Sequence, residues 1–423
     1  MKTLLKSIAR DYGSLPKPVY ILFAGGFINR FGHFVLPFLA LYLSQQGYSE
    51  NLIAIVLAAH GAGALVGALL GGYLADTIGR RNTMVTSLAS KAVLIIALFI
   101  ADSHFALMSM AFLVGLTGFL YPAAANALIA DMTSTEQRTP AFVGARIAVN
   151  AGWALGPACA GWLITISPFL LFAGDAMSSF IFAMLVLAYL PHGLRERAPA
   201  GNPFKVAWGR LQAAGQDMRT NQEFRRFIGA QFLTVIVVMQ LFAPLALIVK
   251  SNGLSDTNYG MLLGLNGMMI LLCELPLSQY TRRLPPKLAI TIGYGLIAIA
   301  MGGIAFAHSF AAFVILKAVF TLGEMISFPI SSVYVNTLAP DHMRGRYLGV
   351  VMLSWAAGGM IGPPAGIFLY EFFGQSYLII APVIGAISVG MLWGFGLNRK
   401  KITATDTLEA DAIVSVKSTV QSR

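Results

Sequence analysis

The sequence predicts an all-α membrane protein with twelve transmembrane helices in two six-helix halves. Three observations lead to this fold class: the composition, a succession of long apolar runs, and landmarks that recur half a chain apart. The 423-residue chain is 57% hydrophobic and only 11% charged, whereas soluble domains are about a quarter charged. Because this small number of charged residues cannot cover a water-exposed surface, the chain is expected to lie in a lipid bilayer.

Twelve apolar runs are long enough to span a membrane, because a spanning helix needs about 20 residues. They cover approximately residues 18–43, 50–75, 83–101, 105–131, 141–166, 168–190, 224–249, 257–280, 287–307, 309–338, 343–372 and 375–397. The first run is too long for a signal peptide and is expected to be a retained span. Cys159 and Cys273 fall inside runs, so neither a disulfide nor a metal site is predicted.

The positive charges predict the orientation. Of the 29 Lys and Arg residues, only Lys250 falls in a loop on the predicted outer side, and four lie inside spans: Arg30, Lys91, Arg146 and Lys317. The other 24 lie on the opposite side, which the positive-inside rule makes cytoplasmic. Both termini are therefore expected in the cytoplasm. The net charge of +11 is explained by this asymmetry, and no nucleic-acid partner is predicted.

A polar, proline-containing segment divides the spans six and six. It predicts an N-terminal half at 1–190, a cytoplasmic linker at 191–223, a C-terminal half at 224–397 and a disordered tail at 398–423. Within the linker, Phe204, Trp208 and Leu211 recur at helical spacing. This suits either a short helix on the inner membrane surface or a solvated linker.

The two halves share landmarks in the same order. Tyr121-Pro122, Arg138 and Gly156-Pro157 in the first half correspond to Phe328-Pro329, Arg344 and Gly362-Pro363 in the second, at offsets of 207, 206 and 206 residues. Such agreement is hard to obtain by chance, so the two halves are predicted to be related by an internal repeat.

Residues 72–81 read GYLADTIGRR and join the second and third spans. Gly72 would allow a close backbone approach and Gly79 a tight turn, while Asp76 can pair with Arg80 or cap a facing helix N-terminus. The loop resembles the signature of the major facilitator superfamily, G-x-x-x-D-x-x-G-[RK]-[RK], which latches the inner gate in the outward-open state. The resemblance implies a gating motif made of Gly72, Asp76, Gly79, Arg80 and Arg81.

Two departures qualify this motif. Thr77 replaces the family's usual cation, and the corresponding loop of the second half, residues 279–284, lacks both the acid and the glycine. Only one strong latch is therefore expected.

The fifth span reads GWALGPACAG over residues 152–161. It resembles the G-x-x-x-G-P-x-x-x-G motif of superfamily antiporters that export drugs. Small residues on one face also favour close helix packing, so Gly152, Gly156, Pro157 and Gly161 are predicted to form a packing motif. A similar pattern recurs in the eleventh span at Gly358, Gly362, Pro363, Pro364 and Gly366, which shows that it also serves the fold.

The residues that usually indicate proton coupling in this family are missing from the sequence. Drug–proton antiporters of the family often carry an arginine in the fourth span, and the corresponding position is Val114. The acid usual in the first span is missing too. Coupling would then use other groups, with Glu324 as the first candidate and Asp175 as the second, since a proton carrier needs a pKa that differs between the two states.

Ionisable side chains within a membrane are costly and are candidates for function by default. The candidates for a substrate or proton site are Asn29, Arg30, His33, Asn126, Arg146, Asn150, Asp175, Glu274 and Glu324. Arg30 could pair with Asp175 or with Glu324, and a structural ion pair remains the alternative to a functional role. Lys91 and Lys317 are expected to snorkel to the membrane surface. His33 and His60 could titrate near neutral pH, or simply pack.

Several apolar side chains near the midplane are candidates to line a cavity: Phe34, Met239, Phe242, Met268, Met269, Phe328 and Trp355. As a group they weakly favour a lipophilic or amphipathic substrate, and ordinary core or lipid contact explains any one of them. No nucleotide-binding loop, nucleophile elbow or metal-ligand cluster occurs, so neither an enzyme nor ATP-driven transport is predicted.

The resulting prediction is a monomeric secondary transporter in a bacterial inner membrane, without a cofactor. It would export lipophilic or amphipathic compounds in exchange for protons. The alternative is a transporter of one metabolite, such as a sugar, peptide, siderophore or other anion, in either direction. A membrane receptor or scaffold without transport is a third possibility, which the short loops disfavour.

Overall fold

The computed structural model describes residues 12–193, 209, 221–281, 283–340 and 343–394. These residues form α-helices joined by short turns, without a β-strand among them, as the sequence predicts. The linker positions Phe204, Trp208 and Leu211 and the predicted tail at 398–423 lie outside the described residues.

Fifteen α-helices occur in the described part of the chain. They are α1 Lys17–Phe31, α2 Val35–Gln45, α3 Glu50–Thr77, α4 Arg80–Phe99, α5 His104–Gly118, α6 Tyr121–Met132, α7 Thr135–Ile166, α8 Pro168–Tyr189, α9 Gln222–Val238, α10 Ala243–Ser251, α11 Asp256–Thr281, α12 Pro286–Ile304, α13 Phe310–Leu338, α14 Arg344–Phe373 and α15 Ile380–Trp393.

Ten stretches of the described residues are long and apolar enough to cross a membrane. The last of them, Tyr347–Trp393, has 47 residues and contains parts of α14 and all of α15. At about 1.5 Å per residue it is too long for one crossing of a hydrocarbon core about 30 Å thick. The protein is therefore a multi-pass helical membrane protein, and the predicted count of twelve crossings depends on dividing this stretch and on adding α11.

The first and seventh predicted spans are each broken near the middle. α1 is separated from α2 by a short turn, and α9 from α10 by a 3-10 turn at Met239–Leu241. Pro37 and Pro244 lie near the start of the second segments, where the missing backbone N–H suits a helix start and not a helix interior. The two prolines are 207 residues apart, the same offset as the sequence landmarks.

The helices run between two ends of the bundle. We call the end that contains the start of α1, the α3–α4 turn and the start of α9 the linker end, and the other end the distal end. The buried apolar residues form three clusters that are distributed unequally between these ends.

One large cluster lies towards the distal end and contains residues of both halves, such as Phe38 and Leu247. Two smaller clusters lie towards the linker end, and each stays within one half: Met84 and Phe182 belong to the first, Phe227 and Tyr294 to the second. Apolar burial therefore holds the halves together at the distal end, whereas at the linker end each half has its own core.

Three helix pairs join the two halves: α2 with α10, α3 with α14, and α7 with α11. Glycine permits the close approaches, because a Cβ at Gly61 would overlap the backbone of Met360, and a Cβ at Gly260 would overlap the carbonyl oxygen of Pro157. Buried Tyr259 adds a polar contact near the two breaks. Its hydroxyl lies 3.1 Å from the carbonyl oxygen of Pro37 and 3.2 Å from that of Leu241.

Candidate functional site

The arginines of the 72–81 loop bind the ends of neighbouring helices. The turn itself needs Gly79, whose φ of 94° is unfavourable for other residues. Arg80 forms an ion pair with Asp131 at the end of α6 and donates to the carbonyl oxygen of Ala127 at 3.3 Å. Of the two alternatives for Asp76, the pair with Arg80 is not formed in this conformation, in which Arg80 pairs with Asp131; the cap on a facing helix stays a prediction.

Arg81 contacts the end of α8. It donates a hydrogen bond to the carbonyl oxygen of Leu187 and lies 3.2 Å from Nε2 of His192. Together the two arginines fasten the α3–α4 turn to α6 and α8, all within the first half.

Asp76 and Gly72 lie on a free face of α3. Among the residues that the structure describes, Asp76 forms no ion pair and no side-chain hydrogen bond, and nothing lies within 4 Å of a Cβ built at Gly72. The predicted close approach at Gly72 is thus wrong here; Gly71 instead packs against the carbonyl oxygen of Leu120. Since Gly72 and Asp76 are four residues apart, they share one side of the helix.

The glycines of the α7 motif bring two other helices close. A Cβ at Gly152 or Gly156 would overlap the backbone of Phe31 in α1, and a Cβ at Gly161 would crowd Gly260 in α11. Pro157 lies inside a continuous helix. The motif therefore stands between α1 of its own half and α11 of the other half, next to the candidate charges.

Asp175 of α8 is paired with Lys91 of α4. Lys91 Nζ donates to Asp175 Oδ1 at 2.9 Å, and the two residues are 4% and 1% exposed. The other oxygen, Oδ2, accepts the backbone N–H of Val35 at 3.1 Å, at the start of α2. The predicted snorkelling of Lys91 is therefore wrong. The predicted Arg30–Asp175 pair does not form either.

His33 joins this pair at its edge. Its Nδ1 lies 3.4 Å from Lys91 Nζ and 3.9 Å from Asp175 Oδ2. Asn29, one turn earlier on α1, donates to the hydroxyl of Ser179 at 3.1 Å. His60 is buried in α3.

Arg30 packs against an aromatic ring. Its guanidinium carbon lies 4.7 Å from the ring centroid of Trp153 in α7, within the range of a cation–π interaction. Its buried Nε has no hydrogen-bond partner among the described residues. Trp153 in turn packs edge-to-face against Phe242, in the break between α9 and α10, with 5.9 Å between centroids.

The second half contains Lys317 and Glu324 on α13. The predicted snorkelling of Lys317 is wrong, because the residue is 1% exposed and its Nζ lies 4.3 Å from the centroid of Phe320. Glu324 accepts a hydrogen bond from Asn266 of α11, which also donates to the hydroxyl of Thr321 at 3.0 Å. Glu324 forms no ion pair within the described residues, so the predicted Arg30–Glu324 pair is also not formed.

The remaining candidates lie nearer the linker end. Arg146 of α7 forms an ion pair with Glu274 of α11, which connects the two halves. Asn150 is partly buried and Asn126 is exposed.

The predicted cavity lining is only partly supported by burial. Phe34 is 4% exposed and belongs to the shared distal core, so it is no candidate for a cavity wall. Phe242, Phe328 and Trp355 are partly buried, and the latter two pack edge-to-face at 5.0 Å.

Sequence reasoning missed Lys91, Trp153, Asn266 and Asp131 as parts of these clusters. A signal existed for Lys91, which lies in the middle of α4 and is therefore too deep for its ammonium group to reach water. The partners of the other three depend on which helices are neighbours.

Comparison with known proteins now gives the family. The model of the Major Facilitator Superfamily matches residues 22–352 and, in a second match, 227–420. The chain belongs to this superfamily. It is thus a multi-pass membrane transporter whose family and fold are those of transporters and not of enzymes.

The names of similar proteins indicate different transport functions. The chain is 25% identical to a "Na(+), Li(+), K(+)/H(+) antiporter" of Planococcus maritimus, over 89% of this chain and 95% of that one. It is 26% identical to the "Multidrug resistance protein MdtH" of Aeromonas salmonicida, over 85% and 89%. A solved POT family transporter, bound to a thioalcohol-conjugated peptide, has a TM-score of 0.75 at 15% identity, over 90% and 96% of the chains. That structure supports the fold alone.

Proposed function

We propose that this protein is a secondary active transporter that exports lipophilic or amphipathic compounds in exchange for protons by alternating access. The observation that carries the proposal is Glu324, which is partly buried near the middle of α13, accepts a hydrogen bond from Asn266 and forms no ion pair with any described residue. Lys317, two turns away, acts on it electrostatically without forming an ion pair. A carboxyl group in such a place can bind and release a proton as its surroundings change between two states. Asp175 is the weaker candidate, since both its oxygens are occupied.

The arrangement of the cores supports alternating access. The halves share one core at the distal end and have separate cores at the linker end. With the orientation expected from the positive charges, this conformation faces inward, and both termini lie in the cytoplasm of a bacterial inner membrane. The names of the relatives, a multidrug resistance protein and a cation/proton antiporter, support export coupled to protons.

Gating is assigned to the free face of α3. The helix α3 runs antiparallel to α14, and the two touch at Gly61 and Met360. Eleven residues from this contact towards the linker end lie Gly72 on α3 and Gly349 on α14. No atom of the described residues lies within 4 Å of a Cβ built at either glycine. In the state closed at the linker end, these glycines would meet and Asp76 would reach the start of α14, whose free N–H groups favour a carboxylate.

Replacement of the Glu324 carboxyl tests the proposal. Glu324→Gln retains the acceptor for Asn266 but cannot exchange a proton. In proteoliposomes with an imposed pH gradient, accumulation of the transported compound should fall about tenfold or more, while exchange without a gradient continues. Glu371→Gln, an exposed acid at the distal end of α14, should behave as wild type. Gradient-driven transport at the wild-type rate in Glu324→Gln would assign the proton to another group.

A panel of chemically diverse compounds in the same transport assay distinguishes drug export from the alternative function, transport of one metabolite. Transport of hydrophobic cations that an uncoupler abolishes supports drug export, whereas transport of one metabolite alone supports a specific carrier. Counterflow of no compound at all would contradict both and favour a receptor or scaffold.

A further inference from the structure

We propose that Arg30 and Trp153 form a subsite for the anionic group of an amphipathic substrate, meaning a carboxylate, sulfonate or phosphate attached to an apolar body. The inference rests on the proposed transport function and specifies the charge of its substrates.

The first argument is the balance of charges among the ionisable residues singled out within the spans. In the described residues these charges are four cations and three carboxylates: Arg30, Lys91, Arg146 and Lys317 against Asp175, Glu274 and Glu324. Lys91 pairs with Asp175 and Arg146 pairs with Glu274. Lys317 and Glu324, two turns apart on α13, interact electrostatically but form no ion pair, and the buried Nζ of Lys317 has no hydrogen-bond partner among the described residues. With Glu324 counted against Lys317, Arg30 is the cation in excess, and protonation of His33 or His60 would only increase this excess.

The second argument is the state of the Arg30 guanidinium. Tyr121 and Asp175 both act on Arg30 electrostatically, but the oxygens of Asp175 already accept from Lys91 Nζ and from the backbone N–H of Val35. The buried Nε of Arg30 has no acceptor among the described residues. An arginine is always charged and a buried charged donor without an acceptor is costly, so a ligand that brings an anionic acceptor to this position is strongly favoured.

The third argument is the place of the subsite. Arg30 is near the middle of the span Lys17–Gln45, and the Trp153 ring beside it reaches Phe242 of the other half. All three side chains are only partly buried. A ligand held here would put its charge on Arg30 and its apolar body against rings that belong to both halves, at the interface where transporters of this kind bind their substrates.

Two probes of equal size and opposite charge test this inference: naphthalene-2-sulfonate and naphthalene-2-trimethylammonium. Binding to the purified full-length protein is measured by calorimetry and by quenching of tryptophan fluorescence. Naphthalene-2-sulfonate should bind wild type, and Arg30→Gln should weaken its binding about tenfold or more, because a charge-assisted hydrogen bond is lost. Lys250→Gln removes an exposed cation at the distal end and should leave binding unchanged.

Arg30→Lys provides the second variant, because it keeps the charge in the membrane if Arg30→Gln does not fold. It should bind the sulfonate less tightly than wild type, since an ammonium lacks the planar fork, and the trimethylammonium probe should bind all variants alike. Equal weakening of both probes, or no effect of either substitution, would overturn the subsite. If the pH gradient drives transport of cations through Glu324 while no sulfonate binds, the subsite is wrong and the transport function stands. Absence of all transport would refute the transport function itself.

Discussion

The ammonium group of Lys91 is buried within the helix bundle, where an ion pair with one carboxylate stabilises it. It is 4% exposed and lies 2.9 Å from Asp175 Oδ1, which is itself 1% exposed. Removing two charges from water costs several kcal/mol each, and their mutual attraction offsets this only when both are present. The pair also fixes the start of α2 through the N–H of Val35.

Loss of Lys91 alone should therefore be worse than loss of both charges. Lys91→Met is expected to destabilise the protein by about 3–5 kcal/mol, because it leaves a buried carboxylate unpaired. The double variant Lys91→Met/Asp175→Asn should recover much of this loss, since an amide oxygen can still accept from Val35. Thermal unfolding in detergent measures both. Equal stability of the single and double variants would show that the carboxylate is solvated and not buried.

At the scale of elements, the position of the charges depends on a glycine-mediated contact between α1 and α7. Gly152 and Gly156 let the backbone of α1 approach α7 at Phe31. The next residue in α1 before this contact is Arg30, and the residue after Gly152 is Trp153. The packing motif thus sets the distance between the guanidinium and the indole ring, which links a structural pattern to the candidate substrate site.

A methyl group at this contact should be disruptive. Gly156→Ala is expected to cost about 1–3 kcal/mol, because its Cβ would overlap the carbonyl oxygen of Phe31. Gly295→Ala in α12 is the matched control, since nothing lies within 4 Å of its Cβ. It should be neutral or stabilising by up to about 1 kcal/mol, the usual difference between alanine and glycine in a helix. Melting temperatures in detergent compare the two, and a similar effect of both substitutions would refute the tight contact.

For the whole molecule, the unequal distribution of cores decides the conformation. A single distal core requires both halves, so separating them there exposes apolar surface and breaks the polar contacts of Tyr259. At the linker end each half keeps its own core, so that end can open and close without unpacking either half. Three helix pairs make the most extensive contacts between the two halves.

A cysteine pair tests closure at the linker end. Gly72→Cys combined with Gly349→Cys, in a chain without Cys159 and Cys273, should cross-link when the linker end closes and should then lose transport. Reduction should restore transport. The control pair, Gly72→Cys with Gly390→Cys, places the second thiol on α15 in open space and should not cross-link. Undiminished transport by fully cross-linked protein would contradict the proposal that Gly72 and Gly349 meet only when the linker end is closed.

The sequence by itself determined the fold class and the family. Long apolar runs indicate membrane-spanning helices, because in lipid the backbone can form its hydrogen bonds only within the helix. The 72–81 loop and the Gly-Pro motif are each made of residues close together in sequence, so they can be recognised without the structure. The sequence also identified Arg30, Asp175, Glu274 and Glu324 as the costly residues. Only the tertiary structure decided their partners, because an ion pair depends on which helices are neighbours and on their depth. It placed Lys91 on Asp175, Asp131 on Arg80 and Asn266 on Glu324. It also placed Arg30 beside Trp153, where no carboxylate of the described residues pairs with it.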